Sequence, residues 1–201
     1  MVVADEEREW VRRAREGDPQ AYRLLVERYE SRIYRLVARL LGPGHGGIED
    51  VVQEVFVKAY FSLKKFREEA SFGTWIYRIA VNRTRDELKK ESAKMSFEES
   101  IPRASIQALS GLFQNADSDE EDPPEPPGAL RQFVGRAVAA LPERLRVVVT
   151  LKDMEGLSYR EVSRLLKCSV GTVKSRHARA REKLREALSP YVPELQRVEK
   201  P

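Results

Sequence analysis

Between residues 18 and 90, apolar side chains return every three or four positions, the period of a helix with one buried face. Asp18 followed by Pro19 supplies a side-chain cap and a proline at the first helical position, so a helix starts there. Ala21, Leu25, Tyr29, Ile33, Leu36, Val37 and Leu40 form its stripe, and "GPGHGG" stops it, because its glycines and proline do not sustain a helix. A second helix is expected from Ile48, with Glu49 and Asp50 in its first turn, where the helix dipole favours anions. Its stripe is Val51, Val52, Val55, Phe56, Ala59 and Leu63. After the loop "KKFREEAS", a third helix is expected from about Phe72 to Lys90. No stretch alternates with the period of two that a half-buried strand shows.

The pattern then breaks. "NADSDEEDPPEPPG" holds six acids, four prolines and no base, too little apolar surface to offset the entropy of ordering, so it is expected to stay extended. Earlier in the same connector, "ASIQALSGLF" has the spacing of an amphipathic turn or two. Helical periodicity resumes near 130–140, 143–154, 158–166 and 170–188. The layout is all-α: two small helical domains, residues 8–90 and 129–190, joined by a flexible acidic linker over residues 91–128.

Composition narrows the class. The chain of 201 residues is 41% hydrophobic and 34% charged, enough for small cores and in keeping with a soluble protein. No apolar run approaches the ~20 residues of a membrane span, and the acidic start "MVVADEEREW" is unlike a secretory signal. A cytoplasmic protein without membrane insertion is expected. One cysteine, Cys168, and two histidines make a poor inventory for a disulfide or a metal site. No cofactor is expected. No nucleophile or carboxylate cluster beside basic residues supports an enzyme.

Net charge is +4, unevenly spread. Residues 129–201 carry 16 Lys and Arg against 8 Asp and Glu, whereas residues 91–128 carry 2 basic and 9 acidic side chains. A basic C-terminal domain behind an acidic connector implies a polyanionic partner for that domain.

Ser158 and Glu161 make a capping box, Lys167 and Cys168 a tight turn, and Ser169 a second cap. Two short helices so joined, the second one basic, form a helix-turn-helix. Val170, Val173, His177, Ala180 and Leu184 share the side expected to pack, with His177 held there by hydrogen bonding rather than as a ligand. Gly171, Lys174, Ser175, Ala178 and Arg179 lie towards the open side: small residues keep the helix slim, and Lys, Ser and Arg can donate to base edges in a major groove. Arg176, Arg181, Lys183 and Arg185 suit phosphates, which position a protein without reading sequence.

At the other end, Asp50, Gln53, Glu54 and Lys58 line one face of the second helix, an acidic and amide stripe able to clasp basic side chains. Downstream, Phe66, Phe72, Trp75 and Tyr77 are interleaved with Arg67, Arg78, Arg83 and Arg85. Aromatic rings stack on unpaired bases at ~1–3 kcal/mol each, and arginines follow phosphates. Trp75, Ile79 and Phe72 also fall on the core stripe, which leaves Phe66 and Asn82 as better placed to touch a base.

Taken together, "DVVQEVFVKAY", "FGTWIYRIAVN" and "LSYREVSRLLKCSVGTVKSRHARAREKL" resemble the two domains of an extracytoplasmic-function (ECF) sigma factor of bacterial RNA polymerase, over residues 8–90 and 130–188. The resemblance implies region 2, a helical bundle, and region 4, the helix-turn-helix. It implies that Asp50, Gln53 and Glu54 dock on the β′ clamp coiled coil of the core polymerase, with the β flap as a further contact. It places Phe66, Ser71, Trp75, Arg78, Asn82 and Arg83 at the unstacked −10 bases. Gly171, Thr172, Lys174, Ser175, Arg176, Ala178 and Arg179 fall at the −35 duplex of promoter DNA. It also implies an anti-sigma partner. Two departures stand out: His177 where relatives usually carry an aliphatic residue, and Ala178 where a larger side chain often sits. The alternative is a dimeric helix-turn-helix regulator acting without polymerase; it would require a dimer seam, which the sequence does not offer.

Overall fold

The computed structural model describes residues 2–42, 44–67, 70–98 and 128–189. Eight helices account for most of these residues, with no strand among them. They are α1 (Val2–Arg15), α2 (Pro19–Leu41), α3 (Ile48–Ser62), α4 (Phe72–Glu98), α5 (Gly128–Ala139), α6 (Glu143–Val149), α7 (Tyr159–Leu166) and α8 (Val170–Leu188).

Local chemistry sets the boundaries. The Asp18 carboxylate accepts from the amides of Gln20 and Ala21, with Pro19 following, so α2 starts where the sequence placed it. It ends at Gly42, whose φ of 104° a residue with a Cβ rarely adopts. Ser71 Oγ accepts from Thr74 N at the head of α4. In the same first turn Gly73 lies so close to Tyr29 that a Cβ would sit 2.9 Å from its hydroxyl. The glycine lets α2 and α4 approach.

Ser158 and Glu161 close the expected capping box, and Ser169 Oγ accepts from Thr172 N to start α8. Lys167 makes the turn between α7 and α8 in the left-handed region, at φ 51°.

Three features differ from the expectations. α1 precedes the first expected helix; Trp10, Val11 and Ala14 pack, a sparse stripe among many charges. α4 runs to Glu98, eight residues past the expected end at Lys90, with no glycine or proline to stop it. The helix expected over 143–154 is interrupted, because α6 gives way at Thr150–Met154 to a π turn closed by Glu155 N donating to Thr150 O. Such a turn adds a residue to the helical repeat and re-aims the side chains beyond it. "ASIQALSGLF" and "NADSDEEDPPEPPG" lie outside the described residues, apart from Gly128 at the end of the latter.

The two helical lobes are not separate bodies. One continuous apolar cluster joins Leu36, Val37, Leu40 and Ile76 of the front lobe to Val147, Val148, Leu151, Leu157, Val162 and Leu165 of the rear lobe. Burying each such side chain contributes about 1.5–3 kcal/mol. A smaller cluster of Val138, Leu141, Leu145, Val149 and Ala180 belongs to the rear lobe alone.

Polar contacts frame the seam. Arg146 Nη1 donates to Leu40 O at 2.7 Å, Arg39 pairs with Glu155 at 2.8 Å, and Arg85 pairs with Glu143 at 2.9 Å.

Candidate nucleic-acid interface

The rear lobe presents α8 as the sequence anticipated. Val173, His177 and Ala180 are buried, whereas Gly171, Lys174, Ser175, Ala178 and Arg179 are exposed along the first three turns. Thr172 and Arg176 are half-buried at its edges. Arg181, Lys183 and Arg185 continue the exposed basic run. A helix with small residues and unburied donors on one side has the shape and chemistry to enter a major groove.

His177 makes more contacts than a packing residue needs. Its Nε2 donates to the Asp153 carboxylate at 2.7 Å, and its Nδ1 pairs with the Tyr159 hydroxyl at 2.9 Å. Asp153 comes from the π turn, so the irregular backbone between α6 and α7 places the acid that orients this ring. Sequence spacing gave no sign of it.

On the front lobe, Asp50, Gln53, Glu54 and Lys58 are all exposed on α3. The stripe continues as apolar surface through Val57, Tyr60 and Phe61, the last 77% exposed. Glu54, however, is engaged within the chain. Arg83, with a side chain only 9% exposed, makes a two-pronged pair with Glu54 and reaches Glu87 at 2.8 Å. These bonds hold both carboxyls below the ordinary glutamate value and raise the guanidinium above its own. Two residues assigned from sequence to different surfaces, Glu54 and Arg83, are thus direct partners.

The aromatic and arginine segment divides in two. Phe66, Phe72 and Trp75 pack on one another with ring centroids 5.0–6.2 Å apart, and each is buried. Phe66, singled out as accessible for a base, is therefore only 5% exposed. Ser71, Arg78 and Asn82 are exposed.

Beside the rings lies a cleft of about 300 Å³, walled by Lys65, Arg67, Trp75 and Arg78 from the front lobe and by Arg164 and Leu165 of α7 from the rear. Its cations, with Trp75 in the wall, suit a nucleotide's phosphate. α7 forms one side, so the lobe packing narrows access to it. The Glu161 carboxyl, held below its ordinary value mainly by the Ser158 cap, faces the Thr74 hydroxyl across this seam at 3.5 Å.

Among the described residues no group of three or more His, Cys, Asp or Glu is placed to hold a metal ion, and no helix is long and apolar enough to cross a membrane.

A two-lobed helical protein with a slim basic helix in one lobe and an exposed acidic and amide stripe in the other has the build of a transcription initiation factor. Comparison with known proteins agrees. The Sigma-70 region 2 family matches residues 25–94, and the Sigma-70 region 4 family matches residues 133–184. The chain is 38% identical over 184 residues to the ECF RNA polymerase sigma-E factor of Escherichia coli (strain K12), covering 90% of this chain and 94% of that one. It is 34% identical over 199 residues to the RNA polymerase sigma-H factor of Pseudomonas aeruginosa, covering 96% of this chain and all of that one.

Among solved structures, the fold is similar to CnrH in complex with the cytosolic domain of CnrY, with a TM-score of 0.64 and 25% identity over 92% of this chain and 99% of that one. It is also similar to the sigma factor RpoE in complex with the anti-sigma factor NepR from Bartonella quintana, with a TM-score of 0.65 and 21% identity over 84% of this chain and 96% of that one. The chain belongs to the ECF sigma factors of RNA polymerase. It is a sigma factor that directs promoter-specific initiation, and a stand-alone dimeric regulator is not favoured.

Proposed function

We propose that the chain docks on core RNA polymerase through α3, reads a −35 duplex through α8, and holds unstacked −10 bases with the surface around Ser71, Trp75, Arg78 and Asn82. Asp50 and Gln53 are exposed polar groups of the α3 row, suited to basic side chains on the β′ clamp coiled coil. The β flap is a further contact on the core polymerase. Glu54 and Arg83 support the docking face by holding α3 to α4. Gly171, Thr172, Lys174, Ser175, Ala178 and Arg179 face the −35 bases, with Arg176 on the phosphates. An anti-sigma factor restrains the protein in the cytoplasm, in line with the complex of the sigma factor RpoE with the anti-sigma factor NepR.

The single observation that carries the reading is the pairing of an exposed acidic and amide row on α3 with an exposed, slim, basic face on α8. The mechanism is physical. Contacts to paired DNA at −35 and to captured bases at −10 offset the cost of opening the duplex, about 1.4 kcal/mol per stacking step plus a few for each base turned out. Each lobe alone binds weakly, and the polymerase supplies effective concentration by fixing their separation.

Run-off transcription with purified core polymerase on a promoter library tests the proposal. RNA that depends on the added chain, from templates sharing two spaced elements, is the expected result; no chain-dependent RNA refutes it. Asp50→Ala with Gln53→Ala should weaken pull-down of core polymerase, and unchanged pull-down would remove α3 as the docking face.

A further inference from the structure

The cleft at the lobe seam has walls that neither lobe supplies alone. Lys65, Arg67 and Arg78 come from the front lobe and Arg164 from α7, around a space of about 300 Å³. All four cations are exposed, over a floor that includes the buried side chains of Phe66, Trp75 and Leu165. Those three belong to the apolar cluster that joins the lobes. Docking α7 on the front lobe therefore brings Arg164 to a cleft that already holds three positive charges.

Like charges gathered over a low-dielectric floor focus a positive field and draw in counter-ions. Among the described residues, none of the four cations forms an ion pair. Glu161 is the carboxylate that α7 carries to this seam, and its oxygens face the Ser158 amide and the Thr74 hydroxyl. Its value is lowered first by the Ser158 cap, with Arg164 last among the causes.

Size and charge together define the ligand. Ligand pockets run from about 300 to 1,000 Å³, so this one fits a short phosphate chain and leaves anything attached to it outside. Arginine forks match phosphate oxygens in pairs, and a lysine adds a point charge. Linked phosphates reach cations of both lobes at once, which a single phosphate does less well.

We propose that this cleft binds a compact phosphoanion, a pyrophosphate group either free or at the end of a nucleotide, and that the bound anion fastens the lobes in the closed arrangement. Arg164 contributes only while α7 stays packed, so the anion favours closure by its difference in affinity for the two states. Closure narrows access to the surface assigned to −10 bases, so the anion opposes initiation. The site belongs to the free chain and is independent of the promoter assignments; its effect on initiation rests on them.

The test uses the full chain without polymerase, at fixed ionic strength and without magnesium. Calorimetry with inorganic pyrophosphate should show one saturable site, and inorganic phosphate should bind about tenfold more weakly, for want of the second group. Arg164→Gln keeps the reach of the side chain, removes its charge, and should weaken pyrophosphate about tenfold, the effect of one charge-assisted bond. ATP binding at least as tightly as pyrophosphate assigns the phosphate end of a nucleotide; weaker binding of ATP assigns free pyrophosphate. Hydrogen exchange reads the fastening. Saturating pyrophosphate should slow exchange along the α2 and α6 contact at Leu40 and Arg146, which do not line the cleft. Arg164→Gln at the same concentration should show no such slowing.

No saturable binding, or equal affinity in Arg164→Gln, overturns the site. Binding that leaves exchange at the α2 and α6 contact unchanged overturns the fastening role. Neither result touches the assignment of α8 to the −35 duplex, which the transcription experiment tests separately.

Discussion

The Glu155 carboxylate accepts a 2.9 Å hydrogen bond from the Tyr77 hydroxyl, although 78 residues separate them in the chain. Arg39 completes the clasp at 2.8 Å, and the Glu155 side chain is only 6% exposed. A carboxylate so placed is stable only while its partners stay. It ties the π turn of the rear lobe to α2 and α4 of the front lobe, on the seam beside the cationic cleft. Glu155→Ala should therefore loosen the closed arrangement. The loss is about 2–3 kcal/mol, at the low end for breaking a buried pair because Arg39 is partly solvated. Small-angle scattering should report a larger radius of gyration, and a single-stranded −10 oligonucleotide should bind the free variant more tightly once α7 leaves the cleft. An unchanged radius would show that the apolar seam alone holds the lobes.

The same clasp has a consequence at high pH. Burial, and next the neighbouring Glu155 carboxylate, push the Tyr77 phenol above its ordinary value of 10.0. A raised folded-state value means the stabilisation is complete below pH 10 and is lost as pH rises towards that higher value. The urea midpoint should fall as pH climbs past 10, and Tyr77→Phe should flatten part of that fall. A decline of the same size in the variant would place its cause elsewhere.

Acid acts on a different set. Glu54 and Glu87 are both held below the ordinary glutamate value of 4.5, first by their hydrogen bonds to Arg83. Depressed values mean a stabilisation present above pH 4.5 and lost as pH falls through the lower folded-state values. Arg83→Met should remove most of that acid dependence in the front lobe, read as the denaturation midpoint between pH 5 and about 3. It should also free Glu54 from α4. If core polymerase binding then rises, Glu54 is a docking residue held in reserve; if it falls, its part is to align α3.

Where the sequence was readable, the physics was local. Asp18, Ser158 and Ser169 cap helices by reaching two or three residues along the chain, so their spacing announces three helix starts. The face of α8 followed from its 3.6-residue period alone. The clasp at Glu155, the Glu54 and Arg83 pair, and the Tyr159 ring between Lys152 and Lys174 join residues from different elements. The first depends on how the lobes pack, the second on how α3 lies against α4, and the third on the extra residue in the π turn; none of these leaves a periodic mark. Phe66 shows the limit well: a loop aromatic between basic residues reads as accessible, yet Phe72 and Trp75 offer it an apolar nest that outweighs exposure.

Capping gives a test of how far the recognition helix depends on its first turn. Ser169 Oγ satisfies the Thr172 amide at 3.0 Å and lies 2.8 Å from its hydroxyl. Ser169→Ala should cost about 1 kcal/mol of rear-lobe stability, seen as a lower melting temperature. It should also reduce −35 affinity, because Gly171, Lys174 and Ser175 sit within the turns that would fray. Ser169→Asp should restore the cap and the melting temperature, but not DNA binding, since a new anion would face the phosphates.

Base reading and phosphate holding leave different signatures, and Arg179 separates them. It is exposed on the slim side of α8, two residues beyond buried His177, with Ala178 beside it to keep the approach open. If its guanidinium donates to a base edge, Arg179→Ala should cost about 1–3 kcal/mol on the preferred −35 sequence and relax preference at one position only. The neighbouring Arg181, exposed farther along the helix, has no such duty. Arg181→Ala should weaken every sequence alike and lower the salt slope by about 1. Binding measured on the two variants against a set of single-base substitutions distinguishes the cases. Equal losses for Arg179→Ala on all sequences would move it to the phosphate set and leave Lys174 and Ser175 as the readers.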